Sequence, residues 1–361
     1  MNHRIFRKIA LTAALAVALG GPAAVSLAAP AAQSFDAYTL PGTNVFPEGI
    51  GYDTRTGDFY TGSTTSGTIY RGNIARPDAE VFVVGTSDGI TTTRGMKVDA
   101  EGHLFVATGP QAMMLVYDTA TKALLAKLPS GVQPSNINDV ALAPNGDAYF
   151  TDSSSLMVYR VSHAAGGQFA VERLDLSGSR IQLRPGFNFN GLAVSADGRY
   201  LVLPQTNTGK LYSLDLQTSQ VSQVDLGTDE VTGADGILLN GQILQVSRNA
   251  AGLIVYIELS SDFRSGKVVQ VFSRPEFQFP TTIARAGNRL LVVNSQFNRR
   301  NSGQPPSEPF QILSIEAPLP GGSSTPGMPT TGAPAPWPLA VGLALLLLLG
   351  GGSLRRRATA R

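Results

Sequence analysis

Between residues 48 and 294 one pattern of polar and apolar positions occurs six times. A polar or small residue leads into a short apolar run, a glycine-bearing turn follows, and a second apolar run comes after it. The leading runs are Glu48-Gly49-Ile50-Gly51-Tyr52, Arg94-Gly95-Met96-Lys97-Val98, Asn138-Asp139-Val140-Ala141-Leu142, Asn190-Gly191-Leu192-Ala193-Val194, Asp235-Gly236-Ile237-Leu238-Leu239 and Thr281-Thr282-Ile283-Ala284. The turn glycines, Gly57, Gly102, Gly146, Gly198, Gly241 and Gly287, recur every 43 to 52 residues. Runs this short, bounded by turn residues, suit strands and not helices. Asn145-Gly146, Asp197-Gly198 and Asn240-Gly241 are hairpin pairs, because two-residue turns need residues that tolerate positive φ. A third apolar run in five of the units carries a tyrosine: Tyr70, Tyr117, Tyr159, Tyr212 and Tyr256. A residue recurring at one place in five repeats marks a packing position.

A period near 45 with about four short strands per unit predicts an all-β, six-bladed β-propeller over residues 32–317. An open ring of blades would leave two bare strand edges. Apolar-polar segments flank the repeats at residues 35–40 and 310–315, and pairing them in one blade would close the ring.

The ends of the chain have a different character. Residues 1–31 run from basic (Arg4, Arg7, Lys8) through an apolar stretch to small residues at Ala28-Ala29-Pro30-Ala31, the order of a secretory signal peptide. Residues 318–336 are rich in Pro, Gly, Ser and Thr and read as an unpacked linker. Residues 337–354 are apolar over roughly the length of a transmembrane segment. Arg355-Arg356-Arg357 follows, in a basic tail at 355–361 that would stay cytoplasmic and leave the propeller outside. Met328-Pro329-Thr330-Thr331-Gly332 ahead of the apolar span resembles the sorting signal of sortase-anchored bacterial surface proteins, with Met328 where that signal has Leu. The tail is then either a membrane helix or a signal cut between Thr331 and Gly332 for joining to the wall. Both readings place an exported protein on the extracellular face of a bacterial membrane or cell wall.

Charge narrows the partners. Seven basic and no acidic residues lie in the two end segments, so the remaining 21 basic and 26 acidic residues give the middle a net charge of −5. That balance speaks against nucleic acid, and a monomer acting on a small molecule is expected. The chain has no Cys, which removes thiol catalysis and Cys-based zinc sites.

In a propeller the first residues of each innermost strand reach the mouth of the central channel. Here these are Glu48, Arg94, Asn138, Asn190, Asp235 and Thr281. Carboxylate and amide oxygens meeting on one axis suit a hard divalent cation, Ca²⁺ before Mg²⁺, with Mn²⁺ or Zn²⁺ also compatible. Such a cation polarises carbonyls and acidifies water.

Pro47-Glu48-Gly49, Asn138-Asp139, Ala234-Asp235-Gly236 and above all the 190–198 segment, Asn190-Gly191-Leu192-Ala193-Val194-Ser195-Ala196-Asp197-Gly198, resemble the senescence marker protein/gluconolactonase/luciferin-regenerating enzyme family. The resemblance implies a six-bladed propeller and a metal-dependent hydrolase of lactones or related esters. It implies Glu48, Asn190 and Asp235 as metal ligands, Asp235 also as general base, and Asn138 as a substrate contact. Asn136 stands where the sugar lactonases have an Arg, so the substrate-binding pair here is Asn136 and Asn138. The other reading is a non-catalytic surface propeller that binds a ligand or a protein.

The remaining motifs read as structure. Gly85-Thr86-Ser87-Asp88-Gly89 fits G-x-S-x-G but lacks a strand-turn-helix setting. His103, after a turn glycine, is expected to be exposed and His163 to sit in a polar loop, neither of them part of a metal-spaced cluster. Arg299-Arg300 is expected in a solvated loop, or beside the channel mouth.

Overall fold

The computed structural model describes residues 35–163 and 167–317. It is a six-bladed propeller in which every blade is a four-stranded antiparallel sheet. From the axis outward, blade I is Pro47–Tyr52, Asp58–Ser63, Ile69–Asn73 and Glu80–Val83. Blade II is Met96–Val98, His103–Ala107, Met113–Asp118 and Leu124–Pro129. Blade III is Ile137–Leu142, Ala148–Asp152, Met157–His163 and Phe169–Asp175. Blade IV is Ala193–Val194, Tyr200–Gln205, Lys210–Asp215 and Gln220–Val224. Blade V is Ala234–Asn240, Ile243–Arg248, Leu253–Leu259 and Gly266–Phe272.

Blade VI is composite. Pro280–Ala286, Arg289–Asn294 and Gln311–Glu316 come from the end of the propeller, and Ala37–Thr39 from its beginning supplies the outermost strand. Tyr38 pairs with Ile312 across this seam. The two flanking segments therefore close the ring as their pattern requires.

The six turn glycines all have positive φ, from 59° to 93°. Each sits in the tight turn after an inner strand, where a Cβ would be strained. The core is divided among the blade interfaces. Each of six apolar clusters draws its side chains from two neighbouring blades, including the pair VI and I. The five recurring tyrosines are buried in these clusters.

Among the described residues no helix is long and apolar enough to cross a membrane. The expected signal peptide at 1–31, linker at 318–336, apolar span at 337–354 and tail at 355–361 lie outside the described residues.

Candidate functional site at the channel mouth

A recurring backbone irregularity aims the polar residues. In blade I Pro47 pairs with Ser63 and Ile50 with Thr61, so one extra residue is accommodated around Glu48-Gly49. The same shift falls at Asn138-Asp139, Asp235-Gly236 and Thr281-Thr282. A bulge turns its side chain out of the alternation of the strand. Here it lets polar residues enter the ring where apolar ones would otherwise point.

The glycine that follows has a separate cause. A Cβ on Gly49 would lie 2.2 Å from the Arg94 carbonyl oxygen, and one on Gly191 2.4 Å from that of Asp235. One on Gly236 would meet the Cα of Thr282 at 2.7 Å. Neighbouring inner strands are in backbone contact at this level, so only hydrogen fits. The Glu-Gly, Asn-Gly and Asp-Gly pairs thus combine a ring-facing polar group with the glycine that lets blades approach.

Glu48, Asn138, Asn190 and Asp235 are all nearly inaccessible to solvent. Asn190 precedes the short inner strand of blade IV, and its neighbour Gly191 donates its N–H to the Asp235 carbonyl at 3.0 Å. Asn138 Nδ2 donates to Ser153 Oγ at 2.7 Å, which orients its amide. Asn249 Nδ2 donates to Asp235 Oδ2 at 2.8 Å. One oxygen of each residue is left over. Glu48 Oε2, Asn138 Oδ1, Asn190 Oδ1 and Asp235 Oδ1 are buried and have no hydrogen-bond partner. A buried acceptor without a donor costs about 1–3 kcal/mol, so four at one end of one ring call for a shared partner.

Titration points the same way. Burial pushes the Glu48 carboxyl well above its ordinary value, and the Asp235 charge adds to the rise. Asp235 is pushed up to about 6, by burial first, with the Asp139 charge adding and Asn249, Arg94 and Asn190 opposing. Asp139 is itself raised by burial, against the pull of Lys97. Three buried carboxyls near one another are stable as anions only with compensating positive charge. An oxygen-rich, anionic donor set of this kind fits a hard divalent cation held by Glu48, Asn190 and Asp235.

Asp139 was not among the sequence candidates. Its signal was the departure from glycine in the second position of the motif. Arg94 was placed at the mouth by the sequence but given no role. Its guanidinium carbon lies 5.5 Å from the Phe187 ring, and its Nε is buried and unpartnered. Arg94 Nε and Asn136 Oδ1 both flank Gly109, 2.7 and 3.4 Å from the position its Cβ would take. Asn136 Oδ1 is also buried without a partner. A cation from blade II therefore stands beside Asn136, the position where an Arg was missing. Thr281 is turned to a structural use, since its hydroxyl donates to the Glu48 carbonyl at 2.8 Å across the VI–I interface.

Three motifs outside the ring are now placed. Gly85–Asp88 is a single 3₁₀ turn between blades I and II, ending at Gly89 with φ 70°. Arg299 and Arg300 lie in the short helix Phe297–Asn301 and not in a loop. Arg300 donates to Thr64 Oγ1 at 2.8 Å and lies over the Phe46 and Phe297 rings. The expectation for the histidines is corrected. His103 is largely covered, His163 ends a strand, and their rings meet at 5.0 Å. They are 60 positions apart in sequence, but blades II and III are adjacent.

The fold and the polar ring define a six-bladed propeller with a polar, anionic site at one end of its axis. The profile of the SMP-30/gluconolactonase/LRE-like region matches residues 46–291, and the chain belongs to that family. At that level it is a gluconolactonase-type propeller. Regucalcin from Agrobacterium tumefaciens, described as a calcium-binding protein, superposes with a TM-score of 0.55 at 16% identity, over 78% of this chain and 97% of that one. A luciferin-regenerating enzyme gives 0.54 at 14% identity, over 76% and 92%. The allergen Mala s 1 of Malassezia sympodialis gives 0.57 at 16% identity, over 79% and 97%. Identities this low establish the shared fold. No curated protein sequence matches the chain.

Proposed function

We propose that this protein is an exported, surface-tethered, metal-dependent hydrolase that opens a lactone or related ester at the channel mouth. The observation that carries the reading is the set of four buried, partnerless oxygens from Glu48, Asn138, Asn190 and Asp235. Family membership and the calcium-binding regucalcin neighbour support the choice of chemistry and of Ca²⁺ as the first cation to test.

Glu48, Asn190 and Asp235 would hold the cation, which when bound supplies Lewis-acid polarisation of the acyl group. Asp235 is placed for general-base work: burial pushes its carboxyl up to about 6 without a cation, and a bound cation would draw it lower, so it would be ionised at neutral pH. Water adds to the acyl carbon and gives its proton to Asp235. The bond from that carbon to the ring oxygen breaks, and the proton passes to the leaving alkoxide. Asn249 fixes the orientation of the Asp235 carboxyl through Oδ2. Asn138 Oδ1 and Asn136 Oδ1 are acceptors free to take substrate hydroxyls, and Arg94 is a donor beside them. Arg94 would thus fill the role of the Arg absent at Asn136, from a different blade.

The test is turnover of a lactone and aryl-ester panel by chelated protein to which Ca²⁺, Mg²⁺, Mn²⁺ or Zn²⁺ is restored. Activity that needs the cation and is abolished by Asp235→Asn is expected. Cation binding without hydrolysis of any member would favour a ligand-binding propeller instead. For the ends, mass spectrometry of the cell-associated protein should find residues 1–31 removed. A C-terminus at Thr331 would identify wall linkage, and an intact tail a membrane anchor.

A further inference from the structure

The geometry points to a second metal site, at the opposite end of the blades from the mouth. We propose that Asp99, Glu101, His103 and His163 bind a borderline divalent transition ion, with Zn²⁺ as the type case. Inner strands begin at the mouth, so the turn between Met96–Val98 and His103–Ala107 lies at the other end. That turn carries Asp99, Glu101 and His103. The last residue of Met157–His163 in blade III reaches the same place.

One ligand atom from each of the four residues lies within 4.8 Å of all the others. His103 Nδ1 is 2.9 Å from Asp99 Oδ2 and 3.6 Å from Glu101 Oε2, and His163 Nδ1 is 3.7 Å from the same Glu101 oxygen. Zinc bonds to nitrogen and oxygen are about 2.0–2.2 Å, so ligand atoms in a tetrahedral site lie roughly 3.3–3.6 Å apart. The His–Glu separations are already those of tetrahedral edges. The remaining adjustment is an opening of the Asp99–His103 contact and a small inward shift of the widest pair.

Asp99 and His103 are held in place without a metal, while Glu101 and His163 are exposed beside them. Asp99 Oδ1 accepts the backbone N–H groups of Glu101 and His103 at 2.9 and 2.8 Å, leaving Oδ2 toward the imidazole. Phe169 walls the site, with ring centroids 5.5 Å from His103 and 4.5 Å from His163. Two imidazole nitrogens with two carboxylate oxygens make a softer donor set than the all-oxygen mouth. The two sites would therefore sort cations, hard ones to the mouth and borderline ones here. A bound ion would also clamp blade II, which supplies Asp99, Glu101 and His103, to blade III, which supplies His163.

Chelated full-length protein titrated with Zn²⁺ in excess Ca²⁺ tests this by calorimetry. One Zn²⁺ per chain is expected, weakened at least about tenfold by His163→Ala and by His103→Gln and unchanged in Asp235→Asn. Co²⁺ bound to the wild-type protein should give the intense visible bands of a tetrahedral site, a readout that needs no variant. The metal-free melting midpoint of His163→Ala checks its fold. Absence of Zn²⁺ binding, indifference to both histidine changes, or loss only in Asp235→Asn would each overturn the assignment. The last outcome would leave the reading of the mouth intact.

Discussion

Removing the charge of Asp235 should stabilise the metal-free protein while abolishing its response to cation. The carboxyl titrates at about 6 in the fold and at 3.8 when free. The difference corresponds to about 3 kcal/mol. The folded state holds the proton more tightly than the unfolded state. Stability from this group is therefore complete below 3.8, falls as pH rises from 3.8 to about 6, and stays low above. Asp235→Asn keeps an oxygen for the Asn249 hydrogen bond and removes the buried charge. In chelator at about pH 8 the variant should be up to about 3 kcal/mol more stable than wild type, a rise of roughly 5 °C in Tm for a domain of this size. At about pH 4 the two should converge. Ca²⁺ at about a hundred times its Kd would return about 2.7 kcal/mol to the wild type and nothing to the variant. Scanning calorimetry across that pH range, with and without Ca²⁺, measures all three effects. A metal-free variant less stable than wild type at high pH, or a difference that ignores pH, would refute the argument that burial strains this carboxylate.

Gly49→Ala should cost several kcal/mol by denaturant titration and weaken cation binding, because its Cβ would fall 2.2 Å from the Arg94 carbonyl and force two inner strands apart. Arg94→Gln should raise KM for lactones bearing an anionic group by about tenfold, with a smaller change in kcat, in steady-state assays. Asn249→Ala should push the Asp235 carboxyl further up, since that hydrogen bond is the strongest influence holding it down. The acid limb of a pH–rate profile would then move to higher pH. Tyr38→Ala should lose about 3–5 kcal/mol, because its buried ring packs 5.0 Å from Phe59 and its hydroxyl donates to the Ile74 carbonyl.

The blade count was legible because each blade repeats the same demands. Every unit needs positive φ after its inner strand, and five of six need a buried tyrosine at the interface. The mouth residues were legible for a related reason: a polar residue followed by a glycine starts the inner strand in four of the six units, at blade spacing. What escaped depends on neighbouring blades. Arg94 meets Asn136 only because blades II and III touch, and neither local sequence implies the other. His103 and His163 meet for the same reason. Asp139 was hidden because it stands at the position where other units have glycine, so the repeat itself drew attention away from its carboxyl.

The seam in blade VI sets an order of events. Ala37–Thr39 emerges first from any process that releases the chain from its N-terminus, and its partner Gln311–Glu316 emerges last. Until then Ala37–Thr39 has no strand to pair with, and the apolar face shared by blades VI and I stands partly uncovered. Closure must await almost the whole propeller, and pairings so distant in sequence form slowly. The same seam leaves Gln311–Glu316 bonded along both edges, to Ala37–Thr39 and to Arg289–Asn294. A pull on the C-terminal side would have to shear that strand from two neighbours at once, and could not peel it from an open edge.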